Sequence, residues 1–405
     1  MSSNYLTADN GVISGTAGII PQGGSDGTLQ IRTTTSGGTP TTAATIDNNQ
    51  NYTFANPINT PNTFGFKNRI INGAMMIDQR NSGASVTPAS SAYTIDRWKL
   101  QITQASKITV QQTPSATETG YATRVGAGFT NYLAFTTASA ATIGSTDQFV
   151  GFQAIEGLNA SDLAWGTSNA KSVTLSFWAY SSLTGTFGGS LQNSAATQSY
   201  VFSYSIASAN TWTQISVTIP GDTSGTWLTT NGVGIYLTFD LGSGSTLRTT
   251  AGSWTSGSYN GVTSGVSPVT TSGATFYITG VQLEKGTIAT SFDYRPYGTE
   301  LALCQRYFQW NIRACGFAYG TTGVVVNNYF PVQMRTTPSL TLTTTSPYIE
   351  YSPWAAISTV SGCTISNGHM TTIGGDFQVL GTISGLSGNA PINFGGDQVQ
   401  IVAEL

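Results

Sequence analysis

The sequence predicts an all-β protein: an N-terminal segment of short strands, a central jelly-roll β-sandwich, a short helical joint and a C-terminal β-sandwich. Three observations carry this reading. Only 8% of the 405 residues are charged, too few for the salt-bridged outer faces of many helices. The 47 glycines, with abundant Ser and Thr, supply turns at short intervals. Aromatic residues make up 11% of the chain and, with Ile and Val, offer the apolar area that a disordered chain lacks. A chain of 405 residues exceeds one ordinary core, so several domains are expected.

Residues 1–65 contain brief β-forming runs, TLQIRT, AATID and NYTF, separated by GGSDG, SGGTP and DNNQN. None is long enough to bury a core alone, so this segment is expected to gain stability from a partner. NPINTPNTFG then reads as a linker. Residues 66–296 carry turn-bounded strand candidates: YTIDRWKLQIT, KITVQQT, YLAFTT, SVTLSFWAYS, SYVFSYSIA, TWTQISVTIP, GVGIYLTFDL and TFYITGVQLE. In TWTQISVTIP the residues Trp212, Gln214, Ser216 and Thr218 alternate with Thr213, Ile215, Val217 and Ile219, the period of a half-buried strand. Such strands at this spacing predict a two-sheet antiparallel sandwich, with LGSGSTLRTTAGSWTSGSYNGVTSGVSP as an end loop. Residues 297–309 are the one expected helix, with Thr299 as N-cap and Leu301, Cys304 and Phe308 on its apolar side. Residues 310–405 form the last β unit.

A formal charge of −3 and a pI near 5.1 offer no basic field for nucleic acid or anionic lipid. No run approaches the roughly 18 apolar residues of a membrane span, so no membrane insertion is expected. MSSNYLTADNGVISG lacks the basic and apolar regions of a secretory signal, which predicts synthesis in a cytoplasm. Cys304, Cys315 and Cys363 are odd in number and lack CxxC spacing, so free thiols are expected rather than a disulfide framework or a zinc site.

Catalytic chemistry finds little support. His369 is the sole histidine, in the turn-rich TISNGHMTTIGG, away from any GxSxG elbow, and reads as a surface residue. Glycosidase-type acid pairs could be drawn from Glu156, Asp162, Asp240, Glu284 and Asp293, but nothing in the sequence pairs them. The glycine-rich stretches lack the Lys and following helix of a phosphate loop. Asp222 or Asp240 could join loop carbonyls around calcium, but no EF-hand spacing exists, and no cofactor or metal is expected. Loop aromatics are the better lead, because sugar rings present apolar faces that stack on Trp and Tyr. The candidates for carbohydrate or receptor binding are Trp227, Trp254 and Tyr259 in the middle region and Tyr348, Tyr351 and Trp354 in SPYIEYSPW.

Charge is concentrated in FYITGVQLEKGTIATSFDYRPYGTELALCQRYFQW, where Glu284, Lys285, Asp293, Arg295, Glu300 and Arg306 fall together. This stretch belongs to a series of motifs: NRIINGAMMIDQRNSG (68–83), YTIDRW (93–98), GVQLEKGTIATSFDYRP (280–296) and ELALCQRYF (300–308). In that order they resemble a family of bacteriophage tail-fibre and virion structural proteins with a jelly-roll domain similar to carbohydrate-binding modules. The chain departs from the family at Ala74, where a polar or acidic residue often follows Asn-Gly. The resemblance maps onto Asn72–Gly73, Gln79–Arg80, Asp96–Arg97–Trp98 and Gln282–Leu283–Glu284, which read as structural markers, and the charges as pins of a joint. It implies a homotrimeric, non-enzymatic fibre located on the virion. Residues 1–65 would attach to a tail, portal or collar protein, and the distal domain would recognise a host surface glycan. Two alternatives remain: a depolymerase tailspike that degrades host polysaccharide, and a purely structural head or collar fibre or decoration protein.

Overall fold

The structure, a computed structural model, describes residues 21–23, 28–33, 41–47, 49, 51–54, 66–113, 121–319, 322–351, 355–356, 359–384 and 391–405. Two compact units are present, Met1–Thr63 with Thr290–Phe292, and Phe64–Ala289 with Asp293–Leu405. The protein is all-β, with two short α-helices among the described residues.

In the first unit the strands Pro21–Gly23, Leu29–Thr33, Thr41–Ile46 and Tyr52–Phe54 form an antiparallel meander in sequence order. A tight turn closes its last hairpin: the Asp47 carboxylate accepts from the Asn49 and Asn51 amides, both at 2.9 Å, and from Asn51 Nδ2 at 3.0 Å. Those bonds, the Asn51 side chain first, hold the Asp47 carboxyl below its ordinary range. Ala44 is the one buried apolar residue among those whose exposure is described here, while Tyr52 and Phe54 are exposed.

The second unit begins with a sandwich. Its five-stranded sheet runs, across the sheet, Thr213–Ile219, Val173–Ser181, Thr275–Lys285, Tyr132–Thr137, Ile108–Thr113. The seven-stranded sheet runs Trp254–Ser256, Gln198–Ile206, Gly185–Gln192, Val233–Ser243, Gln148–Glu156, Trp98–Ile102, Ala92–Ile95. Alternation buries one face of each. Phe177 meets Phe239 across the sheets at 5.1 Å between ring centroids, and Phe276 meets Phe187 at 5.8 Å. Trp98, Leu100, Phe149, Leu191, Phe202 and Leu283 fill the same core, each at most 1% exposed. Full burial of such a side chain stabilises by about 1.5–3 kcal/mol.

Four readings of the sequence change. YTIDRWKLQIT is a hairpin rather than one strand: Ile95 pairs with Trp98, and Asp96 and Arg97 make the turn, Arg97 with φ of 68°. Strands Gln148–Glu156 and Gly185–Gln192 were not expected, the first because it is apolar on both faces and the second because it is glycine-rich. The Gly/Ser-rich segment after Ser243 lies over the outer face of the seven-stranded sheet rather than at an end. There Arg248 pairs with Asp240 at 2.8 Å, and Gly261 packs so close to the Asp240 carboxylate that a Cβ would sit 1.9 Å from Oδ2. Finally, a six-residue helix, Tyr121–Gly126, joins the expected one.

The expected helix spans Tyr297–Gln305 with Pro296, not Thr299, at the capping position: the Pro296 carbonyl accepts from the Thr299 and Glu300 amides. Cys304 is fully buried beside Ile71, Ile77 and Tyr307, but Phe308 lies past the helix in a strand. Beyond it, a three-stranded sheet (Phe308–Trp310, Val399–Val402, Ser339–Leu342) and a seven-stranded one share a core. The larger sheet runs Ala355–Ala356, Ile349–Tyr351, Pro391–Phe394, Ala314–Tyr319, Gly323–Tyr329, Gly374–Ser384, Thr359–Asn367. Val326, Phe377 and Phe394 of this sheet and Ile401 of the smaller one are buried in the shared core.

Candidate functional site: a groove on the outer sheet face

The outward residues of the seven-stranded sheet of the sandwich follow from pairing register. Tyr93 faces Lys99, Lys99 faces Phe152, Phe152 faces Thr238, and Thr238 faces Ser190, one row across five strands. The next rows hold Gln101 beside Val150, and Ala154 beside Tyr236 and Gln192. Over this floor opens a groove of about 300 Å³, at the lower end of ordinary ligand sites. Its lining is mostly amides, hydroxyls, an amine and aromatic rings: Lys99, Gln101, Gln148, Phe152, Gln192, Tyr236, Thr238 and Asn260, with Leu405 at the rim.

The pinned Gly/Ser-rich segment makes one wall. Gln192 Nε2 donates to the Tyr259 carbonyl at 2.7 Å, to Asn260 Oδ1 at 3.0 Å and to Ser190 Oγ at 2.8 Å. Asn260 Nδ2 donates to Gln148 Oε1 at 3.2 Å. This chain of amides fixes the wall's position and aims further polar atoms at the groove. The Tyr236 ring meets Phe152 edge-on at 5.8 Å, and its partial burial raises the phenol pKa. Burial also raises the Asp240 carboxyl beneath the wall, against the opposing pull of Arg248.

Of the aromatics chosen from the sequence, Trp227 and Trp254 pack with Trp165 at the sandwich edge, at centroid distances of 4.7 and 5.3 Å. Their indole N–H groups donate to Asp222 Oδ2 and to the Pro220 carbonyl. Tyr259 borders the groove, its carbonyl bound to Gln192. In the C-terminal β region Tyr348 is exposed and its hydroxyl donates to Glu350, which raises its pKa. Tyr351 pairs through its backbone with Ile392; its side chain and all of Trp354 lie outside the described residues.

The acids considered for catalysis are each engaged. Glu156 receives Arg306 through both oxygens and the Tyr307 hydroxyl at 2.6 Å. Asp162 pairs with Arg69 and Lys285, Asp240 with Arg248, and Asp293 with Arg295, while Glu284 accepts from Gln282 at 2.9 Å. Asp222 takes the Ser224 amide and hydroxyl as well as the Trp227 indole. Among the described residues no group of His, Cys, Asp and Glu is arranged to hold a metal. His369 is almost fully exposed, its Nδ1 3.1 Å from Asp376 Oδ1. Cys304 and Cys363 are buried and Cys315 is exposed, all three free.

The four sequence motifs meet in space next to the groove. Asn68 Oδ1 accepts from Ile70 and Leu283 amides, and Asn72 Nδ2 donates to the Ile77 and Asp96 carbonyls. Gln79 donates through its amide and side chain to the Asp96 carboxylate, at 2.7 and 2.6 Å. Arg97 reaches Glu404 and the Ala154 carbonyl and lies 3.6 Å from the centre of the Tyr307 ring. Arg295 bridges Asp293 and Glu300, and Glu300 accepts the Asn72 amide. These charges are consumed by one another inside the chain.

No protein-family model and no curated protein matches the sequence. Among solved structures the chain is similar to the enzymatically active domain of tailspike protein 4 of bacteriophage CBA120, at 12% identity and a TM-score of 0.28. That alignment covers 54% of this chain and 22% of the tailspike domain. It is also similar to a candidate sugar binding protein from Bacteroides thetaiotaomicron (13% identity, TM-score 0.31, 54% of this chain and 100% of that one). A third is a family 11 carbohydrate-binding module from Clostridium thermocellum, in complex with a mixed-linked tetrasaccharide (8%, 0.24, 50% and 96%). No helix among the described residues is long and apolar enough to cross a membrane.

Proposed function

We propose that this chain is a non-enzymatic glycan-binding protein of a virion fibre, and that the sugar lies in the groove over Lys99, Phe152 and Tyr236. The observation that carries this reading is the groove itself. A concave sheet face combines aromatic rings with amide and hydroxyl groups held in place by a second layer of hydrogen bonds, the chemistry that stacks and orients sugar rings. Its lining offers an ammonium, amides, hydroxyls and rings, groups that hold and orient a sugar, which supports the binding reading.

The virion assignment rests on the resemblance of the four motifs. In it, residues 1–65 form the attachment segment, where Tyr52 and Phe54 offer apolar surface to a tail, portal or collar protein. The fibre is a homotrimer; the outward Phe317 and Leu380 of the C-terminal sheet are apolar positions for a neighbouring copy to cover.

The test is retention of the full chain on a panel of bacterial surface polysaccharides, with release of reducing ends followed in parallel. Binding by the wild type without sugar release, and loss of binding in Tyr236→Ala, is the expected result. Sugar release would establish the depolymerase instead. Unchanged retention of the variant would move the site away from the groove.

A further inference from the structure

We infer that the groove selects an acidic glycan, one whose sugars carry a carboxylate or a sulfate, and that Lys99 reads the charge. This rests on the groove being the glycan site and adds the substrate class. The outer surface here holds several cations, and those around the groove are ion-paired internally: Arg80 and Arg97 share Glu404, with Arg80 also acting on Asp96, Arg248 takes Asp240, and Arg306 takes Glu156. Lys99 differs. No carboxylate lies within ion-pair distance of its Nζ among the described residues, and its neighbours are the rings of Tyr93 and Phe152, each centred 5.5 Å away.

That arrangement is suited to a ligand. The two flanking rings hold the ammonium by cation–π attraction and restrict the stem without neutralising the charge. The register sets Lys99 in the floor between Tyr93 and Phe152, in the groove lining with Gln101 and Thr238. A neutral sugar placed there displaces water from the ammonium and returns only hydroxyl contacts. An anionic substituent returns a charge-assisted hydrogen bond, which is about twice as strong as a neutral one. Lys99 is the one cation in the lining, and Leu405, which lines the same groove, has its main-chain oxygen engaged by the Tyr93 hydroxyl at 2.8 Å, so the substituent left for Lys99 carries a single negative charge, as a uronate carboxylate or a sulfate ester does. Specificity then comes from the penalty on neutral chains as much as from the gain on acidic ones.

Calorimetric titration of the full chain with three oligosaccharides of equal length, an oligogalacturonate, a sulfated galacto-oligosaccharide and a neutral galacto-oligosaccharide, tests this. The wild type should prefer at least one acidic probe over the neutral one by about tenfold, a preference that shrinks with added salt. The two acidic arms distinguish carboxylate from sulfate. Lys99→Met, which keeps the apolar stem, should bring the acidic-to-neutral ratio close to one, and Lys99→Arg should keep the preference. Equal affinity of the wild type for all three probes, or a preference that survives in Lys99→Met, overturns the role of Lys99. Tyr236→Ala separates the two levels: if it binds every probe as the wild type does, the groove is not the site and both readings fall. If it loses binding while Lys99→Met keeps its preference, the groove stands and only the charge selection fails. Absence of binding to all three probes also overturns the selection.

Discussion

Strand Gln148–Glu156 presents one outward face to two neighbourhoods that use polar side chains in opposite ways. At its C-terminal end Glu156 is 1% exposed and takes Arg306 and Tyr307, and Ala154 accepts from the buried Arg97. At the other end Gln148, Val150 and Phe152 line the groove. In the first neighbourhood opposite charges are drawn from distant parts of the sequence and cancel. In the second, neutral amides and one cation are held in place with capacity to spare. The difference teaches that density of charge in a sequence marks assembly of this fold, whereas its recognition surface is built from residues that look unremarkable one by one.

The comparison is most exposed to substitution at Glu404. Its carboxylate serves both Arg80, at 2.6 Å, and Arg97, which is 1% exposed. Glu404→Gln removes the ion-pair partner of both guanidinium groups, leaving only Asp96 near Arg80, and removing one partner of a buried pair typically costs about 3–5 kcal/mol. Arg97→Met should cost less, because Glu404 keeps Arg80. Chemical denaturation of both variants checks the order. A loss below about 1 kcal/mol for Glu404→Gln would mean that the joint is not where the charges matter.

The fold was readable where period and turn residues agree. Thr213–Ile219 buries Ile215 and Ile219 and exposes Gln214, Ser216 and Thr218 as the alternation requires. Trp212, opposite the core side, is buried all the same, against Tyr132 and Tyr180 on the outer face of its sheet. The hairpin at Asp96–Arg97 was hidden because Arg97 adopts φ of 68° without being glycine, a strain on the order of 1 kcal/mol sustained by the bonds its guanidinium makes. The groove was hidden for a different reason. The middle of its floor lies on Gln148–Glu156, which shows no alternation, because its outward Val150 and Phe152 are as apolar as its inward Phe149 and Ile155. A signal did exist in WKLQI and YLT, where Lys99, Gln101, Tyr236 and Thr238 recur at i and i+2 on strands whose other residues face the core. Loop aromatics drew the attention instead, and two of them, Trp227 and Trp254, pack on Trp165.

A pH series sharpens the contrast at intermediate magnitude. Burial raises the Asp96 carboxyl to about 6, against the pull of Arg80 and the Gln79 bonds. The folded state therefore holds this proton more tightly than the unfolded chain, whose carboxyl titrates near 3.8. Its contribution to stability is fully present below pH ~4 and is lost as pH rises through about 6, by up to ~3 kcal/mol for a shift of this size. Asp96→Asn cannot titrate. The stability of the wild type relative to Asp96→Asn should thus be greater at pH 4 than at pH 8, and a difference that grows with pH would show that the Gln79 bonds dominate the site.

The smallest stability effect is expected in the groove, at Tyr236. Its ring is half-buried and its main ring contact is the edge-on one to Phe152, an interaction worth about 0.5–1.5 kcal/mol. Tyr236→Ala should therefore cost about 1 kcal/mol, well below the loss in Glu404→Gln, while removing the surface on which a sugar would stack. Tyr236→Phe keeps the ring and gives up only the hydroxyl, so its stability should stay within about 0.5 kcal/mol of the wild type. The pair of variants also separates two ways of holding a glycan. If affinity survives in Tyr236→Phe and fails in Tyr236→Ala, the ring is the contact. If both lose it equally, the hydroxyl is a hydrogen-bonding group for the sugar. A Tyr236→Ala protein that melts as early as Glu404→Gln would erase the distinction between the two ends of this face, since the groove would then be as much a part of the scaffold as the joint.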